Sequence, residues 1–112
     1  MKTERSQIFA AMLFCILATS MTGCEDSAQA IVNIENFTYQ PAFINVTAGT
    51  TVTWVNHDPV DHTVTADDGS FDSGIIAGDG GMFNFTFSEP GAYEYHCSLH
   101  PSMTGEVFVV GA

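Results

Sequence analysis

Hydrophobic and polar residues alternate along most of the chain after position 30, which is the pattern of β-strands with one buried face. Proline or glycine residues separate several of the alternating segments, and no stretch of this region has helical spacing. The positions predicted to face inward are Val32, Ile34 and Asn36, then Ile44 and Val46, then Val52 and Trp54, then Phe83, Phe85 and Phe87, then Tyr93, Tyr95 and Cys97, followed by a last strand at residues 106–110.

This spacing predicts an all-β fold. About seven or eight short strands in fewer than roughly a hundred residues, with turn signals between them, are typical of a β-sandwich. We therefore predict one antiparallel Greek-key β-sandwich with a phenylalanine-rich core. The chain has no internal repeats and no low-complexity segments.

The first part of the chain has a different pattern. Lys2 and Arg5 precede an uninterrupted apolar stretch at residues 8–18, which is too short for an ordinary transmembrane helix but suits the core of an export signal. We therefore predict an export signal peptide at residues 1–23, a short polar tether at 24–30 and the folded domain at 31–112.

Two cleavage sites compete in this region. The sequence Met-Thr-Gly-Cys that ends at Cys24 resembles the lipobox of prokaryotic lipoproteins, in which the cysteine after the cut receives lipid. The alternative is the Ala-Gln-Ala sequence that ends at Ala30, which would give a soluble product starting near Ile31. The first option predicts a lipid-anchored protein on the outer face of the cytoplasmic membrane or in the periplasm, and the second predicts a soluble exported protein.

Charge narrows the range of partners. The chain has 13 acidic residues and only two basic ones, Lys2 and Arg5, both of which lie in the predicted signal. A mature chain without lysine or arginine repels nucleic acid and anionic headgroups, so we expect no nucleic-acid binding and membrane contact only through the lipid. The acidic residues give solubility or attract a basic protein partner, and the composition alone does not separate these two roles.

Cysteine usage points to a bound thiol. Cys15 lies in the signal core and Cys24 is either removed or lipidated, which leaves Cys97 without a disulfide partner. An unpaired thiol in an exported protein is exposed to oxidation unless it is buried or bound. Cys97 is therefore a candidate metal ligand.

The most informative motif starts at this cysteine. Cys97, His100 and Met103 follow one another at intervals of three residues directly after a predicted strand. With four histidines and five methionines in 112 residues, a given cysteine has this spacing by chance less than about two times in a thousand. Thiolate, imidazole and thioether ligands suit copper, whereas methionine is an unusual zinc ligand. The motif therefore predicts one copper ion.

A further histidine is needed to complete such a site. His96 lies on the opposite face of its strand from Cys97, and His57 lies in a turn beside Asp58 and Pro59. Alternation directs His62 toward the interior, on the same face as Val64. We therefore predict that His62 is the ligand.

These segments resemble the cupredoxins, the type-1 blue copper proteins, and most closely the amicyanin and plastocyanin-like group. The similar segments are residues 48–56, 71–74 and 91–97, together with the short Cys-x-x-His-x-x-Met loop of amicyanins. The resemblance implies three strong copper ligands, His62, Cys97 and His100, and a weak axial one, Met103. It also implies that the Asn56 side chain ties the two ligand-bearing loops together.

The resemblance also implies a function. Cupredoxins of this type carry single electrons between Cu(I) and Cu(II) states and are not enzymes, so we expect a monomeric carrier that meets redox proteins in small, transient contacts. The expected docking surface surrounds the second loop histidine, at Pro59, Val60, Leu99, His100 and Pro101. The alternatives are an envelope protein that stores or delivers copper, an enzyme with further copper sites, and a metal-free adaptor.

Overall fold

The computed structural model describes residues 28–111, and these form a β-sandwich without helices. The predicted signal, Cys24 and most of the tether lie outside the described residues. The eight strands are β1 (Gln29–Glu35), β2 (Thr38–Gln40), β3 (Phe43–Thr47), β4 (Thr50–Asn56), β5 (Thr65–Ala66), β6 (Met82–Phe87), β7 (Gly91–His96) and β8 (Thr104–Val110). The all-β prediction is confirmed.

Each of the two sheets has four strands. One has the order β2-β1-β4-β6 and the other has the order β3-β8-β7-β5. The pairs β1 with β4 and β3 with β8 are parallel, so the prediction of a purely antiparallel sandwich is wrong for these two pairs. The reason is that the chain crosses between the sheets before it returns to pair with an earlier strand, and such a crossing can reverse the direction that a hairpin would give.

Alternation along the strands builds the core between the sheets. In β4 every second residue is buried, and Trp54 is completely inaccessible to solvent. Its indole ring packs among the rings of Phe71, Phe83, Phe87 and Tyr95 at centroid distances of 5.5–6.4 Å. The predicted phenylalanine-rich core is present, and its most buried residues also include Val32, Ile34, Val52, Val64, Val107 and Val109.

One predicted inward position is wrong. Asn36 was expected to continue the inner face of the first strand, but β1 ends at Glu35 and Asn36 is exposed. Asn36 and Phe37 both have left-handed backbone conformations, with φ angles of 56° and 59°. Two successive left-handed residues form the tight turn that matches the twist of a two-stranded hairpin, so the chain turns back here into β2.

Several connections meet at one end of the sandwich. Because β1 and β4 are parallel, the turn after β1 and the loop after β4 leave their sheet at the same end. The His57 backbone N–H donates to the Ile34 carbonyl at this end. In the other sheet, β5 pairs with the last residues of β7, where Thr65 lies opposite His96. The loops that carry the predicted ligands are therefore brought together.

Among residues 28–111, no helix is long and apolar enough to cross a membrane.

Candidate metal centre

The loop between β7 and β8 carries three of the four predicted ligands. The Cys97 backbone N–H donates to the Met103 carbonyl at 3.1 Å, which closes the loop across its base. Inside it, the His100 N–H donates to the Cys97 carbonyl and the Met103 N–H donates to the His100 carbonyl, at 3.2 and 2.9 Å. The seven residues 97–103 thus turn twice between β7 and β8, and this fixes the backbone that carries the three side chains.

His62 lies in the segment between β4 and β5 and is fully buried. Its backbone is paired with Ile76, which it meets through two hydrogen bonds of 3.1 and 2.8 Å. This short bridge holds the histidine in an extended conformation, so its side chain points inward as the alternation predicted. The side chain therefore approaches the loop that follows β7.

The structure brings three predicted ligands together. His62 Nδ1 lies 3.2 Å from His100 Nδ1, and the Cys97 Sγ atom lies 3.7 and 3.6 Å from these two nitrogens. A point equidistant from the three atoms lies about 2.0 Å from each, which is close to the roughly 2.0–2.3 Å that nitrogen and sulfur ligands keep from a first-row metal ion. The three atoms therefore form a trigonal set of the size that such an ion needs.

The fourth predicted ligand lies in the same loop. Met103 is almost completely buried and belongs to the hydrophobic core. His100, by contrast, is partly exposed at the end of the sandwich. The candidate centre therefore lies between the core, on the side of Met103, and solvent, on the side of His100.

The second ring nitrogen of His62 is held by a carboxylate. His62 Nε2 lies 2.8 Å from Asp58 Oδ2. An ionised carboxylate can only accept hydrogen bonds, so the neutral ring carries its proton on Nε2. This leaves the Nδ1 lone pair free for a metal. Burial alone would raise the pKa of the Asp58 carboxyl, but hydrogen bonds from the Phe37 N–H, His62 and the Asn36 N–H outweigh burial and lower that pKa.

Thr63 holds the sulfur and joins the two ligand loops. Its backbone N–H donates to Cys97 Sγ at 3.3 Å, and its hydroxyl oxygen accepts the Ser98 N–H at 2.7 Å. A donor aimed at the sulfur stabilises its thiolate form and tunes a bound metal. The two loops are therefore connected directly beside the candidate centre.

Asn56 has a different role from the predicted one. Its amide NH2 group faces the carbonyls of Val60, Ile76 and Ala77 at 2.9–3.2 Å, and its Oδ1 atom accepts the Asp58 N–H at 3.0 Å. These contacts fix the loop of His62 against residues 76–77 rather than against the loop of Cys97. The prediction that Asn56 ties the two ligand loops together is wrong, because the buried amide is satisfied within its own side of the site.

The other two histidines point away from the cluster. His57 is exposed, and its Nε2 atom lies 2.8 Å from the Asn33 side-chain oxygen. His96 Nδ1 lies 2.6 Å from Asp67 Oδ1 on the outer face of the second sheet. The choice of His62 over these residues agrees with the geometry.

Phe37 is a neighbour of the site that the sequence did not indicate. Its ring meets the rings of His62 and His100 edge to face, at centroid distances of 5.2 and 5.0 Å. Nearly half of its surface, 48%, is exposed. It lies at the same end of the sandwich as the predicted docking residues, which are Pro59, Val60, Leu99, His100 and Pro101. His100 is partly exposed, and the other four are exposed.

Known proteins are similar to this chain in sequence and in fold. Residues 7–109 match the family described as the cupredoxin-like domain. The chain belongs to the cupredoxin-like family. It is 34% identical to the amicyanin of Paracoccus versutus, with 96% of each chain covered. It is also 34% identical to the amicyanin of Paracoccus denitrificans, over 70% of this chain and 63% of that protein, so this match spans less than two thirds of the relative.

Solved structures agree with this assignment. A variant of amicyanin in its Cu(I) form is 30% identical, with a TM-score of 0.66 over 71% of this cupredoxin-like chain and 80% of that one. The purple cupredoxin from Nitrosopumilus maritimus is 33% identical, also with a TM-score of 0.66, over 72% of this chain and 99% of that one. Both similarities extend over most of the sandwich.

The ligand atoms suit the cofactor of the family. Two imidazole nitrogens and a buried thiol sulfur lie in a triangle, and a methionine follows in the same loop. Trigonal His₂Cys sites with a weak methionine ligand are characteristic of copper in electron-transfer proteins. The cluster therefore fits one copper ion.

Proposed function

We propose that this cupredoxin-like protein is a mononuclear blue-copper electron carrier, and that His62, Cys97 and His100 hold the copper with Met103 as a weak axial ligand. The single observation that carries the proposal is the triangle of His62 Nδ1, His100 Nδ1 and Cys97 Sγ, with sides of 3.2–3.7 Å. Bound copper supplies a one-electron couple between Cu(I) and Cu(II).

The surrounding residues favour rapid electron exchange. His62 and Cys97 are fully buried, and their backbones are fixed by the bridge to Ile76 and by the closed loop after β7. Ligands on such a rigid scaffold move little when the charge of the metal changes, so little reorganisation opposes electron transfer. Electron transfer at such a site requires no reacting group besides the copper and its ligands, which is why we propose a carrier rather than an enzyme.

The partner approaches the end of the sandwich at His100. This residue is the ligand that reaches the surface, and Val60 and Leu99 expose 39% and 47% of their surfaces beside it. We propose a small docking surface for transient contacts that consists of Pro59, Val60, Leu99, His100 and Pro101. We add Phe37 to this surface because its ring contacts His100. The ten acidic residues between positions 28 and 111, with no lysine or arginine among them, favour a partner with a basic surface.

We also propose export with cleavage before Cys24 and lipidation there, because strand β1 includes residues that the alternative cleavage after Ala30 would remove. Gln29 and Ala30 pair with Thr51 and Val52, and the Ala28 carbonyl accepts the Thr51 N–H at 3.0 Å. Cleavage after Ala30 would remove these pairings from the edge of the core. β1 runs from this end toward Phe37, so an anchor at Cys24 would place the copper at the far end of the domain, facing away from the membrane.

The absorption spectrum tests the carrier proposal. Copper(II) added to residues 25–112 is expected to give an intense red-absorbing band that bleaches with ascorbate and returns on reoxidation. The Cys97→Ser variant is expected to lose this band, because the thiolate is its source. A pale wild-type spectrum would contradict the proposal, and a coloured protein that exchanges no electrons with a cytochrome would indicate copper storage or delivery instead.

A separate experiment tests the anchor. Cells that express the full chain are labelled with a radioactive fatty acid, and Cys24→Ser is compared with wild type. Label on wild type and none on the variant is the expected result. An unlabelled wild-type protein with a mature N-terminus near Ile31 would contradict the lipoprotein proposal.

A further inference from the structure

Asp58 is the only buried acidic residue between positions 28 and 111, and its surface is 6% exposed. It belongs neither to the set of proposed ligands nor to the exposed surface. A buried carboxylate is destabilising unless hydrogen bonds satisfy it, so the groups around it indicate what it does. Those groups come from two separate parts of the chain.

The first group is the imidazole of a proposed ligand. Asp58 Oδ2 accepts from His62 Nε2 at 2.8 Å, four residues further along the chain. This contact selects the tautomer with a free Nδ1 atom and fixes the rotation of the ring. Groups that hold a ligand in this way typically change metal affinity about 10- to 100-fold when they are removed.

The second group is the turn between β1 and β2, more than twenty residues earlier. Asp58 Oδ1 accepts the Asn36 N–H at 2.8 Å, and Oδ2 also accepts the Phe37 N–H at 2.9 Å. A phenylalanine with a left-handed backbone is strained and persists only where its surroundings fix it. The carboxylate supplies that fixation, and it thereby holds the Phe37 ring against the rings of His62 and His100.

We propose that Asp58 is a positioning residue that connects the copper centre to the docking surface: one carboxylate keeps His62 in its metal-binding tautomer and keeps Phe37 seated across both histidine rings. The inference deepens the proposed function and rests on it. It predicts that one substitution loosens a metal ligand and an exposed aromatic residue together.

The test compares Asp58→Asn with Glu35→Gln. Both substitutions remove one negative charge, and Glu35 lies at the end of β1 beside the same turn but is exposed. In Asp58→Asn one acceptor oxygen becomes an NH2 donor, so the three N–H groups no longer all have acceptors. We expect copper affinity, measured by competition with a chelator, to fall about tenfold or more in Asp58→Asn and to stay within about twofold in Glu35→Gln.

Two further measurements separate positioning from general loss of stability. Nitrogen-15 NMR of the metal-free protein should show His62 with its proton on Nε2 in wild type and a mixture of tautomers in Asp58→Asn. Amide exchange of Phe37 in the Cu(I) protein should accelerate in the same variant, while exchange in the Trp54 region stays slow. An unchanged tautomer and unchanged Phe37 exchange in a folded Asp58→Asn protein would overturn the inference.

Substitution of the aromatic residue tests the other half without a buried polar change. Phe37→Ala removes the ring from both histidines, whereas Phe37→Leu keeps an apolar side chain of similar reach. We expect copper release to a chelator to accelerate several-fold in the alanine variant and to change less in the leucine variant. Equal release rates in both variants and wild type would refute the role of Phe37. A colourless wild-type protein would instead contradict the proposed function itself.

Discussion

Tyr95 offers a quantitative test of how the sandwich is held together beneath the candidate centre. The residue is 1% exposed, and its ring packs against Trp54 and Tyr39 at centroid distances of 5.5 and 4.7 Å. Its hydroxyl accepts the Trp54 indole N–H at 3.2 Å. Burial raises the pKa of Tyr95 to about 12, although the hydrogen bond from Trp54 acts in the opposite direction.

The Tyr95→Phe substitution should have two effects of opposite sign on stability, and only the second depends on pH. It leaves the buried Trp54 N–H without an acceptor, which lowers the free energy of unfolding by about 1–3 kcal/mol near neutral pH. It also removes a phenol that ionises near pH 10.0 when unfolded but near 12 when folded. Between these values the unfolded protein binds fewer protons, so the phenol makes the native protein less stable as pH rises. At pH 11 this amounts to about 1.4 kcal/mol.

The stability deficit of Tyr95→Phe should therefore shrink by about 1.4 kcal/mol between pH 8 and pH 11. Urea unfolding of metal-free wild type and variant, followed by far-UV circular dichroism at both pH values, measures the deficit directly. Contributions from groups that the substitution leaves unchanged cancel in the comparison. An equal deficit at the two pH values would refute the reasoning, because it would mean that burial does not suppress ionisation of the phenol.

Substitutions at two other positions test the axial ligand and the packing of the sandwich. Met103→Leu should raise the reduction potential measured by voltammetry and Met103→Gln should lower it, because the axial ligand tunes the copper; unchanged potentials in both would exclude an axial role. Gly105→Ala would place a Cβ atom 2.5 Å from the Tyr95 ring and should lower the free energy of unfolding by about 1–3 kcal/mol. Gly111→Ala is the control, since nothing lies within 4 Å of its Cβ position, and equal stabilities would show that the ring moves freely.

The sequence was most informative where the site is local. Cys97, His100 and Met103 lie within seven residues, so their spacing alone places three ligand types on one loop. Period-two alternation then favoured His62 over His96 as a ligand, because it predicts which face of a strand a side chain occupies. Both inferences depend on neighbours in the chain, and the geometry agrees with both.

Pairing between distant segments was not predictable in the same way. Alternation gives the faces of a strand but not its partner, so the parallel pairs β1 with β4 and β3 with β8 did not follow from it. The same pattern extended the inner face of β1 to Asn36, where the chain in fact turns. Turn formation there depends on acceptors supplied by Asp58, which lies 22 residues later.

The acidic residues divide into two physical roles that composition cannot distinguish. The exposed carboxylates lie in water, where salt screens them beyond about 10 Å at 0.1 M, so they act mainly on the approach of a charged partner. Asp58 is shielded from solvent and touches His62, so its charge and its hydrogen bonds act on the centre itself. Because the same carboxylate also accepts the backbone N–H groups of Asn36 and Phe37, the residue that orients a proposed ligand also shapes the proposed docking surface. The net charge of this protein therefore bears on its encounters, whereas one buried carboxylate bears on its chemistry.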